Sequence, residues 1–233
     1  MVDLDERIES GSDGDLAAEL REERAGELGR LISLSDGVFA FAMTLLIVSV
    51  EVPDLTGAAT EANLAGDLRA LWPQVLSYVI GFLVIGFLWS AHRRTFSRIK
   101  DFDETLIRLN IVLLMLVAFL PFPIGVLGEY GNLSLPATLY ALCTMGISVI
   151  FILILDHLDR HRELMTRGGA SYDFPRAKTR HLVTAAIFLL SIPVSFLIPG
   201  AGQLVWILLV FNHHIAERVL PHMPGWFRHD GQS

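Results

Sequence analysis

Residues 30–53 read RLISLSDGVFAFAMTLLIVSVEVP. An arginine opens the stretch, an apolar run of about twenty residues follows, and one carboxylate, Asp36, stands inside it. About twenty mainly apolar residues are what a helix needs to cross the hydrocarbon core of a bilayer. Helix is also the conformation lipid permits, because backbone polar groups there must bond within their own segment. The alternation of a barrel strand is absent. Five further runs share this character, at about 73–91, 105–126, 135–155, 181–198 and 201–216. Only Pro199-Gly200 separates the last two, which reads as a tight turn at one membrane face. The expectation is an all-α membrane protein with six transmembrane helices per chain.

The rest of the sequence agrees with a membrane class. Of 233 residues, 52% are hydrophobic and 18% charged, with mean hydropathy +0.51, which excludes a disordered chain. The net charge of −7 is largely that of the N-terminal tail, since ten of the 25 acids lie in residues 1–29. No concentrated basic face exists, so no nucleic-acid partner is expected. The one cysteine, Cys143, excludes an intrachain disulfide. The polar N-terminus has neither the basic nor the apolar region of a cleaved signal peptide.

Lys and Arg set the orientation. With six spans, 17 of the 18 fall on one side and only Arg69 on the other. Positive loops stay cytoplasmic, so both termini are placed there. The expected layout is an acidic cytoplasmic tail at 1–27, a six-helix domain at 28–220 and a cytoplasmic C-terminal tail at 221–233.

Ionisable and amide groups inside lipid are costly, so they mark packing or function. Asp36 lies in the first span with Ser33 and Ser35; Trp89 and His92 end the second; Asn110 is about five residues into the third. Given the orientation, Asp36, His92 and Asn110 reach one depth in the inner leaflet and can satisfy one another by hydrogen bonds. They read as an internal polar clasp that fixes helix packing, or as a proton relay. Arg30 is six residues from Asp36, too far for a helical pair, and is free to meet a neighbouring helix or chain.

Gly37, Phe41, Thr44, Leu45 and Val48 recur at helical spacing and share a face of the first helix. Taken bare, such a face is most often core. Around a symmetry axis, however, Phe41, Leu45 and Val48 would form an apolar constriction that gates by dewetting. Thr44 hydroxyls would there replace part of an ion's water shell. His157 and His161, four apart beside Asp156 and Asp159, have a zinc-compatible spacing, although a solvated charged turn is the commoner origin of that pattern. Pro121, Pro123 and Gly125 mark a kink or an early helix end. No phosphate-binding loop, serine elbow or cysteine pair is present, so no enzyme chemistry and no cofactor are expected. There is no TVGYG-type filter and no arginine-repeat voltage sensor.

These residues resemble the signature first helix of the transmembrane protein 175 family, which includes lysosomal potassium channels and prokaryotic relatives. The match is carried by Arg30, Ser35, Asp36, Gly37, Ala40, Ala42, Thr44, Leu45 and Leu46, and continues in Trp89-Ser-Ala-His92 and in LNIVLLMLVAFLPFP at 109–123. The resemblance implies a cation channel without a filter loop, built as a homotetramer with the first helix of each chain lining the pore. Phe41, Leu45 and Val48 then fall at the constriction and Thr44 at the selectivity layer. Arg30, Ser35, Asp36, Trp89 and His92 fall in the network bracing the pore helix, and Asn110 joins it from its depth. Leu34 replaces the family's usual Phe, and Phe41 stands where Ile or Leu is usual, which narrows the constriction.

The resulting expectation is a potassium-permeable channel, with no metal beyond permeant K⁺ and with monovalent cations and the bilayer as partners. The alternative is a proton-permeable channel or proton-coupled transporter using Asp36 and His92. Arginine far outnumbers lysine and the chain holds a single six-span unit, which together point to a bacterial plasma membrane.

Overall fold

The computed structural model describes residues 2–52, 60–166, 168–169, 172–198 and 201–223. The Pro199-Gly200 turn and nearly all of the C-terminal tail lie outside the described residues.

Helix α1 spans Val2–Leu45 and tightens into a 3₁₀ turn at Leu46–Ser49. The acidic tail expected at 1–27 is continuous with the first span: one helix joins the two. Residues 16–30 are mostly Leu, Ala, Glu and Arg, strong helix formers, and the two glycines among them, Gly26 and Gly29, do not interrupt the helix. Helix α2, Glu61–Ala70, starts where Thr60 Oγ1 accepts from the Asn63 amide. It leads into α3, Trp72–Phe96.

Asp103 caps α4, Glu104–Phe119, by accepting from the Leu106 amide at 2.8 Å. A break at Leu120 separates α4 from α5, Pro121–Tyr130. Proline removes a helical donor and its ring crowds the preceding turn, so the expected kink falls directly before Pro121. Helix α6, Ser134–Arg160, is central: it packs on α4, on α5 and on the antiparallel α7, Phe174–Leu197. Its buried side chains, such as Ala141, Thr144, Ile147, Phe151, Leu155 and Leu158, recur at three- and four-residue spacing. Gly81 of α3 meets Ile124 of α5 so closely that a Cβ would lie 2.9 Å from the Ile124 side chain.

Five helical stretches are long and apolar enough to cross a membrane: Glu22–Ser49, Trp72–Phe96, Glu104–Tyr130, Ser134–Arg160 and Phe174–Leu197. They coincide with the first five expected spans. The sixth run is not a uniform helix. It divides into α8 at Gly202–Val205, a 3₁₀ stretch at Trp206–Phe211 and α9 at Asn212–Val219.

The sixth run nevertheless returns along α7. At one end a Cβ on Gly202 would collide with Ser195 Oγ and crowd the Ser191 carbonyl. At the other end Asn212 Nδ2 donates to Thr184 Oγ1 at 2.8 Å, and Ala216 packs with Val183 and Ile187. The apolar run is short and ends in Asn212, whose amide is drawn to α7.

Candidate functional site

Helix α1 has two distinct faces. Leu28, Ser35, Phe39, Ala42 and Leu46 are buried, at spacings of seven, four, three and four. They pack against α3, α4 and α5. On the opposite side Leu34, Phe41 and Val48 are 57%, 61% and 73% exposed, and Gly37, Ala40 and Thr44 lie open between them. Phe41, Thr44 and Val48 thus share one uncovered stripe. Leu45 is half-buried at its edge, turned partly toward the core. The Thr44 hydroxyl donates to the Phe41 carbonyl at 2.9 Å, which leaves the lone pairs of its oxygen facing outward.

Behind this stripe three helices meet in a chain of neutral hydrogen bonds. His92 Nε2 lies 2.9 Å from Asn110 Oδ1, Asn110 Nδ2 donates to Ser35 Oγ at 3.0 Å, and Ser35 Oγ donates to the Leu31 carbonyl at 2.9 Å. An amide oxygen only accepts, so Nε2 of His92 carries the proton. All three side chains are fully buried. The His92 ring stacks on Phe96 at 4.0 Å between centroids and meets Phe39 at 5.4 Å.

Asp36 was expected to join His92 and Asn110. It accepts instead from Trp89 Nε1 at 2.7 Å, one turn away on the same helix as His92, and the Arg93 guanidinium lies over that indole. The five residues therefore form two adjoining contacts. Neither has the form of a relay: the longer one ends on a backbone carbonyl after an amide, and an amide does not readily accept and pass on a proton. Arg30 stands exposed on the uncovered side of α1 and forms no ion pair among the described residues.

Other candidates resolve differently. His157 Nε2 lies 2.8 Å from Asp103 Oδ2 and His161 pairs with Glu163. Among the described residues no three His, Cys, Asp or Glu side chains converge as a metal ion requires. Sequence reasoning missed Lys178. This buried ammonium, near the start of α7, reaches Asp156 Oδ1 at 3.0 Å and Asp159 Oδ2 at 2.9 Å on the last turns of α6. One signal was available: Lys178 is one of only two lysines among 18 basic residues.

Comparison with known proteins bears on the same residues. The family model described as "Endosomal/lysosomal potassium channel TMEM175" matches residues 30–121, which hold the last part of α1 together with α2, α3 and α4. A potassium channel of Streptomyces collinus is 38% identical over 138 residues, covering 58% of this chain and 66% of the relative. One of Chamaesiphon minutus is 30% identical over 174 residues, covering 73% and 85%. The human endosomal/lysosomal proton channel TMEM175 is 26% identical over 202 residues; the chain spans only 40% of it. The crystal structure of a lysosomal potassium-selective channel TMEM175 homolog from Chamaesiphon minutus superposes with a TM-score of 0.68 at 28% identity. It covers 82% of this chain and 98% of that one.

Proposed function

This chain belongs to the TMEM175 family of ion channels, multi-pass membrane proteins and not enzymes, and we propose that it is a potassium-permeable channel of a bacterial plasma membrane. Four copies surround an axis, each presenting α1. The chain crosses six times, with α8 to α9 as the last pass, and both termini are cytoplasmic. Residues 28–220 form the conduction domain between the two tails. No cofactor takes part.

The observation that carries this reading is the uncovered stripe. Apolar exposure alone is also what a lipid-facing helix shows; this stripe differs in that small and hydroxyl residues, Gly37, Ala40 and Thr44, lie open between Leu34, Phe41 and Val48, the pattern of a helix that packs closely on others. In a tetramer Phe41 and Val48, with Leu45 beside them, close an apolar constriction. Ions pass it passively, after partial dehydration or transient widening. Thr44 oxygens, their protons engaged by the Phe41 carbonyl, offer lone pairs to a cation at that level. The contacts Ser35–Asn110–His92 and Asp36–Trp89 hold α1 at fixed rotation, so the stripe faces the axis. Arg30 meets a neighbouring subunit.

Potassium flux into liposomes, with sodium as comparison and an ionophore to clamp voltage, tests it. Thr44→Ala is expected to lower the potassium preference and Phe41→Ala to raise flux. Unchanged flux in both variants would overturn the pore assignment. A second reading, proton permeation, is favoured by the human relative, a proton channel. A pH-sensitive dye in the same vesicles reads it: flux abolished by Asp36→Asn and His92→Gln, yet indifferent to Thr44→Ala, would replace potassium conduction.

A further inference from the structure

A cleft of about 880 Å³ opens between α3, α6, α7 and α9, away from the α1 stripe. Its rim is basic. Arg94 and Arg98 come from the end of α3 and just past it, and Arg176 and Arg180 from the first turns of α7. Arg176 is shared with Asp173 and Glu217, at 3.6 and 3.8 Å. The other three have no carboxylate within ion-pair distance among the described residues. Arg98 lies over the Tyr172 ring, while Nε of Arg180 is buried without a hydrogen-bond partner. One more atom in the wall is orphaned: Oδ1 of Asn212, an acceptor fixed in place because its Nδ2 is bonded to Thr184.

Beyond the rim the lining is Phe87, Leu88, Phe188 and Leu209 together with Thr144, Ser148 and Thr184, whose hydroxyls donate to carbonyls of their own helices. Phe87 is 71% exposed, so the cleft opens sideways as well as toward its basic end. The size lies within the range of roughly 300–1,000 Å³ that encloses whole small molecules, far beyond the need of one anion. By the charge pattern, the basic end stands at the cytoplasmic membrane surface.

We propose that this cleft binds a phospholipid with an anionic headgroup. The phosphate sits among Arg94, Arg98 and Arg180, and an acyl chain runs along Phe87, Leu88 and Phe188. The orphaned Asn212 carbonyl accepts from a headgroup hydroxyl. Three arginines without a carboxylate partner at one rim favour an anion, and the inner leaflet supplies anionic headgroups at this depth at high concentration. Phosphatidylcholine carries the same phosphate, but its quaternary ammonium offsets that charge beside the arginines, and it has no hydroxyl to donate to Asn212. The apolar side chains beyond the rim give a free phosphate nothing.

Native mass spectrometry of the full-length protein tests this, with phosphatidylglycerol and phosphatidylcholine of identical chains. Phosphatidylglycerol is expected to remain bound where phosphatidylcholine is lost. The variant R94Q/R180Q should weaken phosphatidylglycerol about tenfold or more. R94K/R180K should keep most of the binding. Arg108→Gln, which removes an exposed arginine paired with Glu104 on α4, should leave it unchanged. If R94Q/R180Q does not assemble, Arg180→Gln alone is read, with about a threefold loss expected.

Three results would overturn the proposal: equal retention of both lipids, wild-type affinity in an assembled R94Q/R180Q, or displacement of phosphatidylglycerol by inorganic phosphate, which would make the cleft an ion site. None of these readouts depends on conduction, so their failure is distinct from failure of the channel reading.

Discussion

The bundle is tied across its helices at two depths, and the two ties use different chemistry. Inside the span Ser35, Asn110 and His92 join α1, α3 and α4 through neutral groups with fixed donor and acceptor directions. At the C-terminal end of α6 and the N-terminal end of α7, Lys178 is held between Asp156 and Asp159, each of which also meets an arginine, Arg160 or Arg162. Charge is tolerable at the rim because water reaches Asp156 and Arg160. In lipid a full charge costs several kcal/mol even when paired, whereas an amide and an imidazole cost little once bonded. The inner tie fixes the rotation of α1 and hence which stripe is uncovered. The outer tie fixes α7, on which the last segment and the basic cleft depend.

The comparison predicts unequal consequences when each tie is cut. Lys178→Met keeps the apolar stem and removes the ammonium, leaving two carboxylates with one arginine each. Loss of one partner from a buried ion pair costs about 3–5 kcal/mol, and the retained arginines place this variant near 3. Thermal unfolding in detergent should show it as the largest single loss. Raising KCl from about 0.05 to 0.5 M should change its deficit, because Asp156 and Arg160 are solvated. Asn110→Leu deprives the buried His92 Nε2–H of its acceptor, while Ser35 still donates to Leu31. One orphaned donor costs about 2 kcal/mol. That deficit should not respond to salt, since no ion pair is lost. Equal salt dependence in the two variants would erase the distinction.

The inner region was the more legible in sequence. Five spans follow from apolar length alone, and the expected orientation put Asp36, His92 and Asn110 at one depth, so the meeting of His92 with Asn110 could be foreseen, with Ser35 and not Asp36 as its third member. The stripe of Phe41, Thr44 and Val48 follows from helical period. Leu45 was harder, because positions 44 and 45 are both compatible with a face through 41 and 48, and only the neighbouring helices decide which turns inward. The resemblance put Asp36 and Trp89 in one network, but the residues alone did not pair them, for a chemical reason: Trp89 is chiefly an apolar body, and its one N–H is not an obvious mate for a carboxylate when a histidine is near. Lys178 was missed because its partners lie 19 and 22 residues away, across a turn that no local spacing rule spans. The break in the last segment escaped hydropathy, which averages over Asn212.

The smallest expected effect concerns Asp103, which joins the start of α4 to the end of α6 at the same rim. Partial burial opposes its ionisation. The Leu106 amide and the His157 ring, each 2.8 Å away, outweigh that, with the charges of His157 and His161 adding to them, and its carboxyl sits below the ordinary 3.8. A carboxyl that binds its proton more weakly when folded stabilises the fold above its unfolded value, and loses that contribution as pH falls through the folded one. Asp103→Asn keeps a side-chain acceptor for the cap and removes the titration. At neutral pH the variant should melt about 1–2 °C below the parent, a modest gap because the carboxylate is partly exposed. Between about pH 5 and pH 3 the gap should close. A gap constant across that range would mean that Asp103 acts at the rim as a neutral cap, and the rim would then resemble the inner tie more closely than its charges suggest.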